Sequence, residues 1–204
     1  MAERSKTARL QAGKPGLRRE SSAGRRWWAT HGRDVRFLAV FGFFLALFYG
    51  VGMTPYVQDR LVPEYLRLNA SASASLLSIF GEEAITRDKT VVGKRFSITI
   101  ERGCDAIQPS ALFCSAVLAS PVPWLARGLA VLAGTSILMV LNFVRIMSLC
   151  YVKAYFPGAF DVMHLDVWQA LFIFLAILLW AFWAAWQSRR SKAVKTHAAV
   201  QNSS

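Results

Sequence analysis

Four stretches of this 204-residue chain run for about twenty residues with almost no charge, the length a helix needs to cross the hydrocarbon of a bilayer. They are 37–58, 105–124, 128–151 and 167–186. A backbone surrounded by lipid has to satisfy its hydrogen bonds internally, so each run is read as a helix. Two runs carry polar interruptions: Gln108-Pro109-Ser110 opens the second, and Arg145 breaks the third. Such groups are costly against lipid and tolerable where they line a protein cavity. The chain is 54% hydrophobic and still has a net charge of +12, because apolar residues fill the runs while much of the charge sits at the ends. That separation describes an all-α polytopic membrane protein with about four transmembrane helices. It excludes a soluble nucleic-acid binder and leaves no room for a second soluble core.

Basic flanks orient the helices. Residues 1–36 include Arg4, Lys6, Arg9, Lys14, Arg18, Arg19, Arg25, Arg26, Arg33 and Arg36, and residues 187–204 include Arg189, Arg190, Lys192 and Lys195. An even number of spans puts both basic tails on one side, which the positive-inside rule makes the cytoplasm. The leader is too long, and its apolar run too complete, for a cleavable signal peptide. Its first 33 or so residues, rich in Arg, Ser, Gly and Ala, read as a disordered tail against anionic lipid. Trp124, Trp180, Trp183 and Trp186 fall at the inner boundary, and Trp168 falls at the outer one, as an aromatic belt requires.

The external segment 59–102 has elements of its own. Pro63 suits the first turn of an amphipathic helix that stops at Gly81, with Tyr65, Leu66, Leu76, Leu77, Ile79 and Phe80 as an apolar side resting on the membrane. Val91-Val92, the turn Gly93-Lys94 and the alternation Phe96, Ile98, Ile100 then form a short β-hairpin before the second span. Its second strand leads into Gly103-Cys104.

Three chemically able residues meet at one depth of this topology. Cys104 is at the outer mouth of the second span. Arg145 is roughly 16 residues, or ~24 Å, above the inner end of the third. His164 is just before the fourth, and it is the only histidine outside the two tails, which hold His31 and His197. An imidazole or a cation favours the thiolate that makes a cysteine nucleophilic. His164 serves as base or proton donor, and Arg145 stabilises the thiolate or an oxyanion. Asn142, one turn before Arg145, is placed to hold the guanidinium or a substrate carbonyl, and Asp166 to orient the imidazole.

On these residues the chain resembles the exosortase/archaeosortase family of membrane-embedded cysteine transpeptidase-like enzymes. The shared motifs are Gly103-Cys104 at the head of a span, Asn142-x-x-Arg145-Ile146 near the end of the next, and His164 before the last. The resemblance covers about residues 37–186. It implies that Cys104 is the nucleophile, with Arg145 and His164 completing the site, and that no metal or cofactor is needed. The implied substrates are exported proteins ending in a short motif, a transmembrane helix and a basic cluster, cleaved at the outer face of a bacterial inner membrane. Asp105-Ala106 follows the cysteine where many members have Ser-Gly or Asn-Gly, and the short chain resembles a compact type such as exosortase H.

Each residue also has a plainer reading. Cys104 alone is a small filler at a helix boundary, an outer-boundary arginine snorkels to lipid phosphates, and a loop histidine is solvated. Cys114, in mid-span, and Cys150, beside lipid, are read as filler. Asn142 fits a helix–helix hydrogen bond as well as it fits a site. Two other function classes stand beside the enzyme. A membrane thiol oxidoreductase would pair Cys104 with Cys150, although the chain has no C-x-x-C motif. A non-catalytic assembly or scaffold protein would use the polar residues only to hold helices together.

Overall fold

The computed structural model describes residues 15–103 and 105–201. The chain divides after Ala39 into two compact units. Helix α1 spans Pro15–Gly52 and is followed by a π-helical turn at Val57–Leu61. Helix α2 covers Val62–Ile79, and strands β1 (Ile85–Arg87), β2 (Thr90–Val92) and β3 (Ser97–Thr99) come next. Helices α3 (Ile107–Ala119), α4 (Trp124–Tyr155) and α5 (Trp168–Gln201) complete the chain, with a 3-10 turn at Pro157–Ala159 and a π turn at Val162–Val167 before α5.

The fold is the all-α polytopic membrane architecture, with one small sheet. Among the described residues three helices are long and apolar enough to cross a membrane: His31–Gly52, Trp124–Tyr155 and Pro157–Ala193. The second run differs from its expected 105–124. Its helix is only 13 residues, ending where Ser120-Pro121-Val122-Pro123 removes donors and restricts the backbone. Helix α3 is therefore about 20 Å long, shorter than the hydrocarbon. Residues 15–33, expected to be disordered, are helical. Their Ala, Arg and Glu are strong helix formers, and the helix propagates outward from the apolar run that nucleates it.

Helix α2 matches its expected limits, with Pro63 in the first turn and Gly81 beyond its end at φ +87°. Of its expected apolar side, Leu66 and Leu77 face the protein, while Ile79 and Phe80 are exposed. Leu66, Ala70, Ala74 and Leu77 are buried against Val91, Phe96, Ile98 and Ile100 of the sheet and Ile146, Leu149 and Cys150 of α4. The expected hairpin is β2–β3, antiparallel with Val91 opposite Ile98, and β1 adds a third antiparallel strand on the far side of β2. This apolar layer is the core around the sheet. Cys150, expected beside lipid, is fully buried within it.

A second core joins the membrane helices: Phe113 and Val117 of α3, Ala130 and Leu138 of α4, and Ala176 of α5. Gly134 lies between Ala130 and Leu138 on the same face of α4, and a Cβ there would come within 2.1 Å of the Phe113 ring. Close approach through small residues is how membrane helices gain packing energy without a hydrophobic driving force. Gly134→Ala is expected to cost about 1–3 kcal/mol by overpacking, read as a lower melting temperature in detergent. Gly128→Ala, where the added Cβ meets nothing, should be neutral.

Candidate active site

The site is assembled around Arg145. This residue is 1% exposed, on the last third of α4. Its Nη1 donates to the Gly103 carbonyl at 2.8 Å, and its Nη2 reaches the His164 carbonyl at 3.4 Å. The Phe172 ring of α5 lies 5.7 Å from the guanidinium carbon. One planar fork thus joins the loop before α3, helix α4 and the π turn before α5. The lipid-snorkelling alternative does not describe this arginine, because its head is inside the protein.

Cys104 lies outside the described residues. Its neighbours define the local backbone. Gly103 has φ +97°, which glycine adopts without strain, and Ala106 has φ +56°, a left-handed conformation that costs energy for a residue with a Cβ. Asp105 is 3% exposed; its Oδ1 accepts the Ile107 N–H at 3.2 Å, and its carbonyl accepts the Tyr65 hydroxyl at 2.6 Å. Burial pushes the Asp105 carboxyl above the ordinary carboxylate range, against the opposing pull of backbone N–H groups and of Arg145.

His164 sits in the π turn, a geometry that interrupts the regular helical ladder and is often found at functional sites. Its imidazole stacks on Phe160, with ring centroids 5.5 Å apart. Arg145, Asp161 and Glu101 are its charged neighbours. Arg145 therefore meets the backbone of His164, and the imidazole is placed by Phe160. Asp166, expected to orient the ring, is exposed, and no hydrogen bond between the two is seen among the described residues. Asp161, one turn before the histidine, is the carboxylate of this segment whose charge acts on the imidazole.

Asn142 is fully buried one turn below Arg145 and does not bond the guanidinium. Its Nδ2 approaches Asn69 Oδ1 at 3.4 Å, and Asn69 Nδ2 donates to the Tyr65 carbonyl at 2.9 Å. Asn142 Oδ1 has no hydrogen-bond partner among the described residues. Tyr65 and Asn69 are the residues that sequence reasoning missed. The signal was present: Tyr65, Asn69 and Ser73 recur every four residues and form a polar stripe within the buried face of α2. Tyr65 was assigned to an apolar side instead.

An apolar groove of about 760 Å³ opens beside this turn. Phe44, Leu47 and Phe48 of α1 line one wall, Ala111, Cys114 and Leu118 of α3 the other, and Tyr65, Gly103 and Asp105 lie at its polar end. Arg102 donates to the Gln58 side chain near the same end. Gly103 and Asp105, the sequence neighbours of residue 104, are both among the residues that line it.

Comparison with known proteins gives one match. No curated protein and no solved structure matches the chain. The transmembrane exosortase family (Exosortase_EpsH) matches residues 24–183, well over half of the chain and all of the elements that converge on Arg145. The match, the multi-pass helical architecture and the junction of three elements at Arg145 lead to one conclusion: the chain belongs to the transmembrane exosortase family.

Proposed function

We propose that the protein is an integral-membrane cysteine peptidase or transpeptidase, which removes the C-terminal sorting helix of exported proteins at the outer face of the cytoplasmic membrane. The observation that carries this reading is the Arg145 fork, which ties the carbonyl before Cys104 to the carbonyl of His164. Cys104 loses its proton to His164 and attacks the scissile carbonyl carbon. The C–N bond breaks, an S–C thioester bond forms, and the imidazolium returns the proton to the leaving amine. Water or an amine then attacks the thioester; the C–S bond breaks, and the incoming nucleophile's proton restores the thiol. Arg145 holds the turn and supplies a permanent positive charge beside the developing negative charge. The basic flanks support a cytoplasmic location for both termini and an outer location for the site.

The test is coexpression with a tagged exported protein carrying a motif, an apolar helix and a basic cluster. The tagged product should shorten, and its new C-terminal mass separates hydrolysis from transfer. Hydroxylamine should release a C-terminal hydroxamate by trapping the thioester. A full-length product, with the enzyme folded in the membrane and a matched substrate present, overturns the reading. The buried fork also weighs against a scaffold, which has no use for a turn held in a strained conformation beside a thiol.

The groove supports docking of the substrate's sorting helix there, because its lining is largely apolar and includes Gly103 and Asp105, the sequence neighbours of the nucleophile. Gly52 lines it, and a Cβ added there meets no atom within 4 Å. Gly52→Trp is expected to narrow the groove and raise the KM for processing about tenfold or more, at unchanged protein level, while Gly52→Ala stays near the parent. Substrate titration in the processing assay checks both variants.

A further inference from the structure

We propose that Tyr65 is a positioning residue for Cys104, holding the chain after the cysteine as Arg145 holds it before. The inference rests on the reading of Cys104 as nucleophile. Two side-chain donors from different helices bind the carbonyls of the two residues next to 104 in sequence. Arg145 Nη1 of α4 binds Gly103 O at 2.8 Å, and the Tyr65 hydroxyl of α2 binds Asp105 O at 2.6 Å across 40 residues of sequence. The Gly103 carbonyl belongs to the peptide that joins Gly103 to Cys104, and the Asp105 carbonyl to the peptide that joins Asp105 to Ala106, so the chain is held before and after the cysteine. Ala106, a residue with a Cβ in the left-handed region, relaxes unless its surroundings over-determine it. With both carbonyls held, its freedom is lost before the substrate arrives.

The hydroxyl is itself held in place. Tyr65 Oη lies 3.8 Å from Met139 Sδ of α4, so the ring bridges the external helix and the membrane helix. Asn69 bonds the Tyr65 carbonyl one turn on, and Asn142 meets Asn69 in turn. A chain of buried polar groups therefore runs from the Arg145 face of α4, through α2, back to the turn before α3. Burial also raises the phenol above its ordinary value, so the hydroxyl stays a donor across the working pH range.

The test uses the full-length protein in membranes, with Tyr65→Phe and with p-aminophenylalanine incorporated at position 65. Two quantities are read: the rate of Cys104 alkylation by iodoacetamide against pH, mapped by peptide mass, and kcat and KM for substrate processing. Phenylalanine keeps the ring against Met139 and removes only the donor. Its expected effect is a kcat about tenfold lower at unchanged KM, with a shifted pH profile of Cys104 alkylation. The amine restores a donor at the same place and should recover most of both. Parent-like kcat and alkylation in Tyr65→Phe overturn the proposal. So does a rise in KM alone, which would make Tyr65 a groove residue, or a loss of kcat that the amine does not rescue. Alkylation of Cys104 that leaves processing intact overturns the nucleophile reading instead, and the alkylation rates still decide whether Tyr65 positions the thiol.

Discussion

Cys104→Ala leaves the tagged exported substrate at full length, with the membrane level of the enzyme unchanged. Under the proposed mechanism this residue supplies the atom that breaks the peptide bond, so the loss is at least about 10³-fold and reaches the detection limit. Cys104→Ser retains a nucleophilic atom of similar size. A hydroxyl is far less acidic than a thiol, and a site built for a thiolate does not activate it well, so the serine variant should stay within about tenfold of the alanine one. Pulse-labelling of the substrate, with quantitative detection of the enzyme in the same membranes, gives both values. Parent-like processing by Cys104→Ala would end the cysteine-peptidase reading and favour the scaffold.

Arg145→Lys is expected to abolish processing and also to weaken the fold. A lysine keeps the positive charge but offers one compact ammonium, which cannot span the Gly103 and His164 carbonyls that Nη1 and Nη2 meet together. The site is 1% exposed, so a charge that loses its partners there has no water to replace them. Processing should fall by about 10²–10³-fold, and stability by about 3 kcal/mol, the size expected when a buried charged group loses its partners. A melting curve in detergent beside the processing assay separates the two losses. His164→Ala is the informative contrast. Arg145 uses the backbone carbonyl of His164, which alanine retains, so that variant should keep its melting temperature and lose activity. If Arg145, His164 and Cys104 form one unit, the triple variant is scarcely worse than any single one.

Much of this architecture is legible in the chain. The apolar runs and basic flanks point to a multi-pass membrane protein. Pro63 and Gly81 bound α2, and the alternation at Phe96, Ile98 and Ile100 marks the outer hairpin strand. Periodicity and breakers are local properties, and they survive without knowledge of neighbours. Strand β1 escaped because Ile85-Thr86-Arg87 is only three residues long, too short to show a period. The second span was overestimated because hydropathy counts Val122 and Trp124 as apolar, whereas Pro121 and Pro123 decide where the helix ends.

The amino-acid sequence by itself set the expectation that a cysteine, an arginine and a histidine, each near the end of an apolar run, lie near one membrane depth. Helical rise and span number are enough for that, because they place residues along the membrane normal. They say nothing of rotation about each helix or of what a side chain meets. Only the tertiary structure decided that Arg145 turns inward to bind Gly103 and His164 through their carbonyls, that Asp161 rather than Asp166 neighbours the imidazole, and that Tyr65 comes from 40 residues away to hold Asp105. Those choices depend on contacts between separate elements. The burial of α2 against the sheet and α4 brings the tyrosine to the turn, and no local pattern encodes that approach.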